Sequence, residues 1–279
     1  MNSIFKDQIV WVTGASSGIG EAMAKDFVKR GAKVILTARR EERLQKLAAE
    51  LNQGKDSPSA KILPADLSDI SGLAALTEKA LTLFGKIDVL LNNAGVSQRS
   101  LSLETSFEVE EHMIRLDLLS PIALTKAILP HMVKRKSGRI IVTSSLMGDL
   151  ELPGSATYSC VKHGLNGYFY SLAFELKEYG IDVQVLQPGF VRTEVSLNAV
   201  TSSGGSHGKM DATHANAMTA EKFSAKTFPK LERGDTSIIV AGKEGLALPV
   251  RRWFPSLYRM LIRRNARMLL ADRFPGKQT

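Results

Sequence analysis

The chain has 279 residues, of which 44% are hydrophobic and 23% are charged, a composition typical of globular proteins. Its single cysteine, Cys160, cannot form an intrachain disulfide, so we expect a reducing compartment and a cytoplasmic protein. No apolar signal-like segment follows Met1, and no uncharged apolar run is long enough to cross a bilayer. Neither a signal peptide nor a membrane-spanning helix is therefore predicted.

The net charge of +9 is distributed unevenly along the chain. Residues 246–279 contain eight basic residues and one acidic residue, a net charge of +7, which leaves +2 for residues 1–245. The excess of basic residues therefore lies mainly in a C-terminal tail. A nucleic-acid-binding module would need basic residues spread over a folded face with groove-reading companions. We find no such module and expect no nucleic-acid partner.

Short β-branched runs alternate with amphipathic segments of helical length. The runs are apolar at successive positions, as in strands that are buried on both faces. The predicted strands are residues 8–13, 33–38, 60–65, 87–92, 139–144, 181–187 and 236–241. The predicted helices are residues 19–30, 41–51, 70–84, 108–136 and 157–179. This alternation predicts one α/β domain: a doubly wound parallel sheet of Rossmann type, with about seven strands and helices on both faces.

Two regions interrupt the alternation. Residues 198–208 are rich in Ser and Gly and predict a flexible loop, followed by a weakly helical stretch at 216–230. The basic segment 246–279 comes after the last predicted strand. Neither region has the composition to fold alone, so we expect a single domain, residues 1–245, with a C-terminal appendage.

A glycine-rich turn joins the first predicted strand to the first predicted helix. It reads Thr13-Gly14-Ala15-Ser16-Ser17-Gly18-Ile19-Gly20. Glycines allow the backbone to approach a pyrophosphate closely, and the N–H groups at the following helix N-terminus bind the anion. Placed between a strand and a helix, the turn predicts a dinucleotide site formed by Gly14, Ser16, Ser17, Gly18, Ile19 and Gly20. The alternative is a Gly/Ser-rich turn that binds no ligand.

The end of the second predicted strand indicates which dinucleotide binds. NAD sites usually place an acidic residue about 20 residues past the glycines, on the ribose 2′-hydroxyl. This chain has Ala38, Arg39 and Arg40 there. An arginine binds the 2′-phosphate that a carboxylate would repel, so Arg39 predicts NADP(H) as the cofactor. Alternatively, the arginines only begin a solvated helix.

A tyrosine, a lysine and a serine supply candidate acid–base chemistry. Tyr158 and Lys162 share one face of a predicted helix, and Ser145 lies at the carboxyl end of the preceding strand, where a doubly wound sheet opens its ligand crevice. A neighbouring ammonium lowers the pKa of a phenol, which is otherwise about 10. These residues predict hydride transfer between nicotinamide and a small-molecule carbonyl or alcohol, with Tyr158 as acid and base and Ser145 bonded to the substrate oxygen. A chance pair on a surface helix is the alternative.

In this order, the motifs resemble those of the short-chain dehydrogenase/reductase family. The resemblance covers about residues 6–245 and includes the glycine-rich turn, Asn92-Asn93-Ala94-Gly95, Ser145, Tyr158-xxx-Lys162 and Pro188-Gly189. Within the family, Thr37-Ala38-Arg39 and residues 123–127 are similar to 11β-hydroxysteroid dehydrogenase-like enzymes and related microsomal reductases. Those relatives act on steroids, retinoids and other lipophilic carbonyls, which implies a lipophilic substrate by analogy.

The resemblance implies further roles. Asp66 would bond near the adenine ring, Lys162 would also hold the nicotinamide ribose, and the chain would form a dimer or tetramer. The adenine-ribose wall and the nicotinamide end would be formed by Asn93, Ala94, Gly95, Val191 and Thr193. A substrate lid would lie around residues 190–230. Alternatively, residues 92–95 form a simple strand-end turn and Asp66 caps a helix.

One position departs from the family pattern. Many members carry an Asn in the long helix before the serine strand, where it supports a water-linked proton path to the lysine. This chain has Asp117 there. An aspartate still accepts a hydrogen bond, and its charge favours a protonated Lys162. Asp117 is therefore a candidate fourth member of the catalytic set.

No metal site is predicted. His207, Asp211 and His214 lie in the loop region, and they are too few and too widely spaced for zinc.

The tail has the pattern of an amphipathic helix. At about 100° per residue from Leu257, apolar residues fill one side and arginines the opposite arc, after Trp253 and Phe254. A basic amphipathic helix with flanking aromatics is typical of an interfacial membrane helix, which predicts a peripheral membrane contact through residues 250–272. The alternative is that the apolar side packs on the domain or on a second subunit.

Two other functions stay open at this point. One is a non-catalytic NADP(H)-binding sensor, and the other is a membrane-surface interaction protein that acts through its tail. The complete set of Ser145, Tyr158 and Lys162 favours an enzyme over both.

Overall fold

The computed structural model describes residues 3–98, 100–194 and 217–271. The strands are β1 (Ile9–Thr13), β2 (Lys33–Thr37), β3 (Ala60–Ile62), β4 (Val89–Asn92), β5 (Gly138–Thr143), β6 (Ile181–Pro188), β7 (Val191–Arg192), β8 (Met218–Thr219) and β9 (Ser237–Val240). The helices are α1 (Gly18–Lys29), α2 (Glu41–Asn52), α3 (Leu73–Phe84), α4 (Phe107–Ile114), α5 (Ser120–Arg135), α6 (Ala156–Leu176), α7 (Ala220–Arg233), α8 (Ala247–Trp253) and α9 (Pro255–Ala271).

Seven strands form one parallel sheet in the order β3-β2-β1-β4-β5-β6-β9. The strand order reverses between β1 and β4, which is the topological switch point where such sheets bind their ligands. In register, Thr13 at the end of β1 pairs with Thr37 at the end of β2. The predicted doubly wound, seven-stranded single domain is confirmed.

Helices cover both faces of the sheet, as predicted. In β1, Val10 and Val12 join one core with helices α1, α2 and α7, whereas Trp11 joins the core with α3, α5 and α6. Successive side chains in a strand point to opposite faces. All five β1 residues are buried, because helices cover both of these faces. This two-sided burial explains why the strands are apolar at successive positions.

The predicted continuous helix 108–136 is divided in the structure. A π-helical turn at Arg115–Leu119 separates α4 from α5, and such turns are frequent at functional sites. By length and composition alone, Phe107–Arg135 could cross a membrane. However, Met113, Leu124 and Ile128 are fully or almost fully buried in the protein core, so the segment is a core helix.

The start of the predicted lid region pairs with a later segment of the same region. Strands β7 and β8 pair in parallel, with Val191 opposite Met218. The weakly helical stretch predicted at 216–230 corresponds to α7, which begins and ends slightly later. Residues 195–216, with most of the predicted lid, lie outside the described residues.

Three phenylalanines from distant parts of the chain pack edge to face. Phe228 on α7 lies 4.8 Å from Phe27 on α1 and 5.6 Å from Phe5, measured between ring centroids. All three rings are fully buried. This cluster attaches α7, which overlaps the C-terminal part of the predicted lid region, to the first helix of the dinucleotide-binding half.

We expect Phe228→Ala to lower the free energy of unfolding by about 3–5 kcal/mol, because it removes a buried ring and leaves a cavity. Equilibrium denaturation by urea measures this loss. The matched control is Phe174→Ala on α6, where the side chain is 84% exposed, and there the change should stay within about 0.5 kcal/mol. Equal losses in the two variants would contradict the packing role of Phe228.

Candidate active site

The glycine-rich turn forms a cradle at the carboxyl end of β1. Gly14 has φ +66°, and a Cβ there would come within 2.8 Å of the Ala94 Cα. A Cβ on Gly20 would overlap the Gly14 carbonyl oxygen. Both positions therefore require glycine, and the backbone stays open where α1 begins. Residues of the turn and of the loop after β4, predicted separately from sequence, lie in direct contact.

Asn93 joins the ends of three strands. Its backbone N–H donates to Thr13 Oγ1 (2.9 Å), and its Nδ2 donates to the Thr13 carbonyl oxygen (3.2 Å). Its Oδ1 accepts from the Thr143 hydroxyl (3.1 Å). The side chain therefore fixes β1, β4 and β5 relative to one another. This structural role agrees with the alternative interpretation of residues 92–95 as a simple strand-end turn. Ala94 and Gly95 follow it along the same edge.

Arg39 and Asp66 line one shallow pocket of about 360 Å³, together with Pro64 and Ala65. Asp66 Oδ1 accepts from the backbone N–H (2.9 Å) and the hydroxyl (2.8 Å) of Ser68. Burial raises the pKa of Asp66, but the Ser68 hydrogen bonds and the Arg39 charge outweigh it and hold this pKa below its usual value. Asp66 thus stabilises the turn at residues 66–68 and also lies beside Arg39.

Arg40, which is not among the predicted cofactor-binding residues, contacts the cradle directly. Its Nη2 donates to Ser16 Oγ (3.1 Å) and Ser17 Oγ (3.0 Å), and its Nη1 donates to Glu194 (3.0 Å). Arg43 also donates to the Glu194 carboxylate, at 2.6 and 2.8 Å. Chiefly through the Arg43 hydrogen bonds, the pKa of Glu194 lies below its usual value. An ionic bridge therefore links the start of the lid region to α2 and the cradle.

Thr193 and Val191 lie at the start of the predicted lid region. A Cβ on Gly18 would come within 3.0 Å of the Thr193 Cβ and Cγ2 atoms, so Thr193 rests against the glycine-rich turn. Val191 is buried and pairs with β8. Ile19 packs against the core under α1. Of these predicted cofactor-site residues, Thr193 therefore contacts the cradle, whereas Val191 and Ile19 pack in the core.

Ser145 lies two residues after the end of β5. Its Oγ accepts from the Met147 backbone N–H at 3.1 Å, and the residue is 9% exposed. The short helical turn after it, Leu146–Gly148, packs on α6, where a Cβ on Gly148 would overlap the Asn166 side chain. Ser145 is therefore held against the helix that carries Tyr158 and Lys162.

Gln98 positions the start of α6, and the sequence reasoning missed it. Its Oε1 accepts from the backbone N–H groups of Thr157 (3.1 Å) and Tyr158 (3.3 Å). The first N–H groups of a helix have no partner within the helix, and Gln98 satisfies two of them from outside. It is fully buried. The contact spans 59 residues, so no local capping pattern announces it.

Lys162 is buried among three partners. Its Nζ donates to the Thr143 carbonyl oxygen (3.3 Å), forms an ion pair with Asp117 Oδ2 (3.3 Å) and lies 5.4 Å from the Tyr158 ring centroid. The Lys162 side chain is 6% exposed and that of Asp117 is 0% exposed. The structure therefore brings together Ser145, Tyr158, Lys162 and Asp117 at the carboxyl edge of the sheet.

Asp117 reaches Lys162 from the π-helical turn. Its Oδ1 accepts from the Val96 backbone N–H (2.9 Å). A Cβ on Gly95 would come within 2.8 Å of Asp117 Oδ2, so only glycine leaves room for the carboxylate. The loop after β4 is thereby tied to the helix that contains Asp117.

Opposing effects set the pKa values of this pair. Burial lowers the pKa of Lys162, but the charges of Asp117 and Tyr158 outweigh it, and the net shift is upward. Burial raises the pKa of Asp117, and neither Lys162 nor the Val96 hydrogen bond fully offsets this. Lys162 therefore keeps its proton through the neutral range and presents a desolvated ammonium to Tyr158.

Among the described residues, no three His, Cys, Asp or Glu side chains are grouped so that they could hold a metal ion. His207, Asp211 and His214 lie outside those residues.

The fold is a doubly wound α/β sheet with Ser145, Tyr158 and Lys162 at its carboxyl edge, after β5. Residues 8–203 match the sequence profile of the short chain dehydrogenase family, and the chain belongs to this family. It is thus an oxidoreductase of a class that uses nicotinamide dinucleotides.

Relatives cover nearly the whole chain. The dehydrogenase/reductase SDR family protein 7-like of Drosophila melanogaster is 36% identical over 262 residues, covering 93% of this chain and 80% of its own length. The dehydrogenase/reductase SDR family member 7B of Xenopus laevis is 36% identical over 255 residues, covering 90% of this chain and 79% of its own.

Solved structures agree with the fold. A short chain dehydrogenase/reductase from Burkholderia phymatum, in complex with NAD, has a TM-score of 0.81 at 21% identity and covers 91% of this chain and 95% of its own. A metagenomic short-chain oxidoreductase, in complex with NADP, has a TM-score of 0.71 at 29% identity and covers 86% of this chain and 99% of its own.

We expect Asp117→Asn to keep its neutral-pH turnover within about tenfold of the parent, a change of about 1.4 kcal/mol in activation free energy. The amide can still accept from Val96. Without the carboxylate, burial lowers the pKa of Lys162, so the alkaline limb of kcat/KM should move to lower pH. A pH profile of kcat/KM measures this shift. Loss of turnover at unchanged thermal stability would show that the charge itself is required.

Proposed function

We propose that the protein is an NADP(H)-dependent oxidoreductase that transfers a hydride between nicotinamide and a carbonyl or alcohol of a lipophilic substrate. The observation that carries this proposal is the buried Lys162 ammonium, held by Thr143 and Asp117 beside the Tyr158 ring. A buried charge is costly unless it is paired. The Lys162 ammonium would stabilise a phenolate at Tyr158.

The crevice fits a dinucleotide. The glycines of the cradle leave backbone room that a Cβ would fill at Gly14 and Gly20, and the α1 N-terminus is suited to a pyrophosphate. The residues that would hold the cofactor are Gly14, Ser16, Ser17, Gly18, Ile19, Gly20, Arg39, Asp66, Asn93, Ala94, Gly95, Tyr158, Lys162, Val191 and Thr193. The bound nicotinamide would supply or accept the hydride.

The protein's own side chains would manage the proton. In reduction, Tyr158 donates its phenolic proton to the substrate oxygen while hydride reaches the carbon, so C=O becomes CH–OH. Lys162 stabilises the phenolate that remains, and Ser145 donates a hydrogen bond to the substrate oxygen. In oxidation, Tyr158 accepts the proton instead. Asp117 acts through Lys162 as a positioning residue.

Two arginines support the choice of NADP(H). Arg39 lines the pocket with Asp66, and Arg40 reaches Ser16 and Ser17 in the cradle. Guanidinium groups suit phosphate oxygens. The metagenomic relative, solved with NADP, provides a precedent within the family.

Exposed apolar side chains on segments near the start of α6 support a lipophilic substrate. Glu110 accepts from the hydroxyls of Thr157 (2.9 Å) and Ser102 (3.4 Å), which keeps the segment around Ser102 next to the start of α6. The neighbouring Leu103 is exposed, as is Leu152 between Ser145 and Tyr158. NADPH oxidation across a panel of ketones, aldehydes, steroids and quinones tests the substrate class. Turnover confined to small polar carbonyls would contradict it.

We expect Tyr158→Phe to fold and still bind cofactor but to lose turnover by about a hundred- to ten-thousand-fold, because the proton donor is gone. Steady-state kinetics and cofactor titration measure the two properties separately. Tyr168→Phe, the same change on the same helix, serves as the control and should leave turnover unchanged. Near-normal reduction by Tyr158→Phe would refute the proposed mechanism.

Arg39→Asp should reduce the preference for NADPH over NADH by roughly ten- to a hundredfold, because a charge-assisted contact is replaced by repulsion. Titration with each cofactor measures the preference. Lys46→Asp makes the same charge change at an exposed position of α2 and should have little effect. An unchanged preference in Arg39→Asp combined with a reduced one in Arg40→Ser would make Arg40 the selector.

A further inference from the structure

The C-terminal helices are fixed to the segment that follows Ser145. The Tyr258 hydroxyl donates to the Glu151 carbonyl oxygen (2.9 Å), and Arg251 Nε donates to the Glu151 carboxylate (3.0 Å). Tyr258 is 4% exposed and packs with Leu146 and Leu150. Helices α8 and α9 are therefore a docked part of the molecule.

The docking covers only part of the apolar surface of these helices. Fourteen large apolar side chains are exposed among the described residues, and six of them lie within residues 246–261. The six are Leu246, Trp253, Phe254, Leu257, Met260 and Leu261. We call the last five the tail face. Exposed apolar groups scattered singly need no explanation, but a concentrated patch marks an interaction site.

The outward side of α9 combines apolar and basic groups. Tyr258 and Ile262 face the domain. At about 100° per residue, Met260 falls opposite them, and Arg263 and Arg264 lie on either side of Met260. All three outward side chains are exposed. Long arginine side chains can extend their charged ends past such an apolar stripe toward lipid headgroups.

Charge distinguishes between two candidate partners of the tail face, a lipid surface and a second copy of this chain. Residues 246–271 contain six arginines and no acidic residue. In a two-fold dimer the same patch meets itself, so arginine-rich surfaces would be brought together, which is unfavourable. An anionic lipid surface complements both the arginines and the apolar side chains.

We propose that the tail face docks on an anionic lipid surface. Trp253 and Phe254, at the junction of α8 and α9, would lie at headgroup level, where aromatic residues are enriched. Because α9 rests on the residues after Ser145, docking would hold that side of the protein against lipid. The proposal is independent of turnover and goes beyond the proposed reaction.

The test uses the full chain and vesicles of phosphatidylcholine with and without phosphatidylserine. We expect sedimentation with the phosphatidylserine vesicles at low salt, and its loss at high salt. Brominated acyl chains should quench Trp253. The other tryptophan, Trp11, is fully buried and bonded to Thr37, so it should not respond. Trp253→Phe should abolish quenching and keep sedimentation.

A matched pair of double variants tests the arginines. Arg259→Gln with Arg263→Gln removes two charges four residues apart on α9, and should weaken vesicle binding by roughly tenfold or more. Lys222→Gln with Lys226→Gln removes two exposed charges of the same spacing on α7 and should change binding little. Both variants should keep the parent's thermal stability.

Three results would overturn the proposal. The first is a full chain that does not bind phosphatidylserine vesicles at low salt. The second is equal weakening of binding by the α7 and α9 pairs, which would indicate a general charge effect. The third is a dimer, seen by sedimentation velocity, that Met260→Asp dissociates while vesicles stay unbound, which would assign the tail face to contact between copies.

Discussion

The structure of the site depends on the ion pair between Lys162 and Asp117. Two opposite charges are withdrawn from water, and truncating either side chain would leave the other buried without a polar partner. Each neighbouring feature has a role in forming this pair. The π-helical turn carries Asp117, Gly95 leaves space for its carboxylate, and Val96 donates to it. The loop after β4, the kinked helix, β5 and α6 therefore form one unit, and the position of Lys162 beside Tyr158 follows from it.

The fold could be predicted from sequence because its signals are local. Buried parallel strands read as apolar runs, and each helix shows its own periodicity. The positions of Ser145, Tyr158 and Lys162 were predictable for a related reason, since the carboxyl ends of parallel strands meet at one edge. The π-helical turn was not predictable, because the closely spaced Leu116, Leu118 and Leu119 mask the one-residue shift in helical phase that such a turn introduces. Its only trace in sequence is a charged Asp117 among apolar neighbours.

The contacts that could not be predicted from sequence join residues far apart in the chain. Gln98 caps α6 across 59 residues, and Arg40 meets Glu194 across 154. Arg39 and Arg40 are adjacent and chemically identical, so no pattern distinguishes which one reaches the cradle. Side-chain direction decides this, because successive residues after a strand point to different sides. Arg39 lies with Asp66 in the pocket, whereas Arg40 contacts Ser16 and Ser17.

The tail shows why amphipathicity alone could not decide between packing and an interface. The apolar arc of α9 is wider than the surface the domain offers, so Tyr258 and Ile262 are covered while Leu257, Met260 and Leu261 stay in water. The packing alternative drawn from sequence thus describes the part of the arc with Tyr258 and Ile262, and the membrane alternative stays a proposal for the exposed part. Leaving large apolar groups exposed beside arginines has a solvation cost that packing on the domain does not offset. A partner that is both apolar and anionic, as we propose, would remove that cost. The exposed apolar groups lie on the helix that rests on the segment following Ser145.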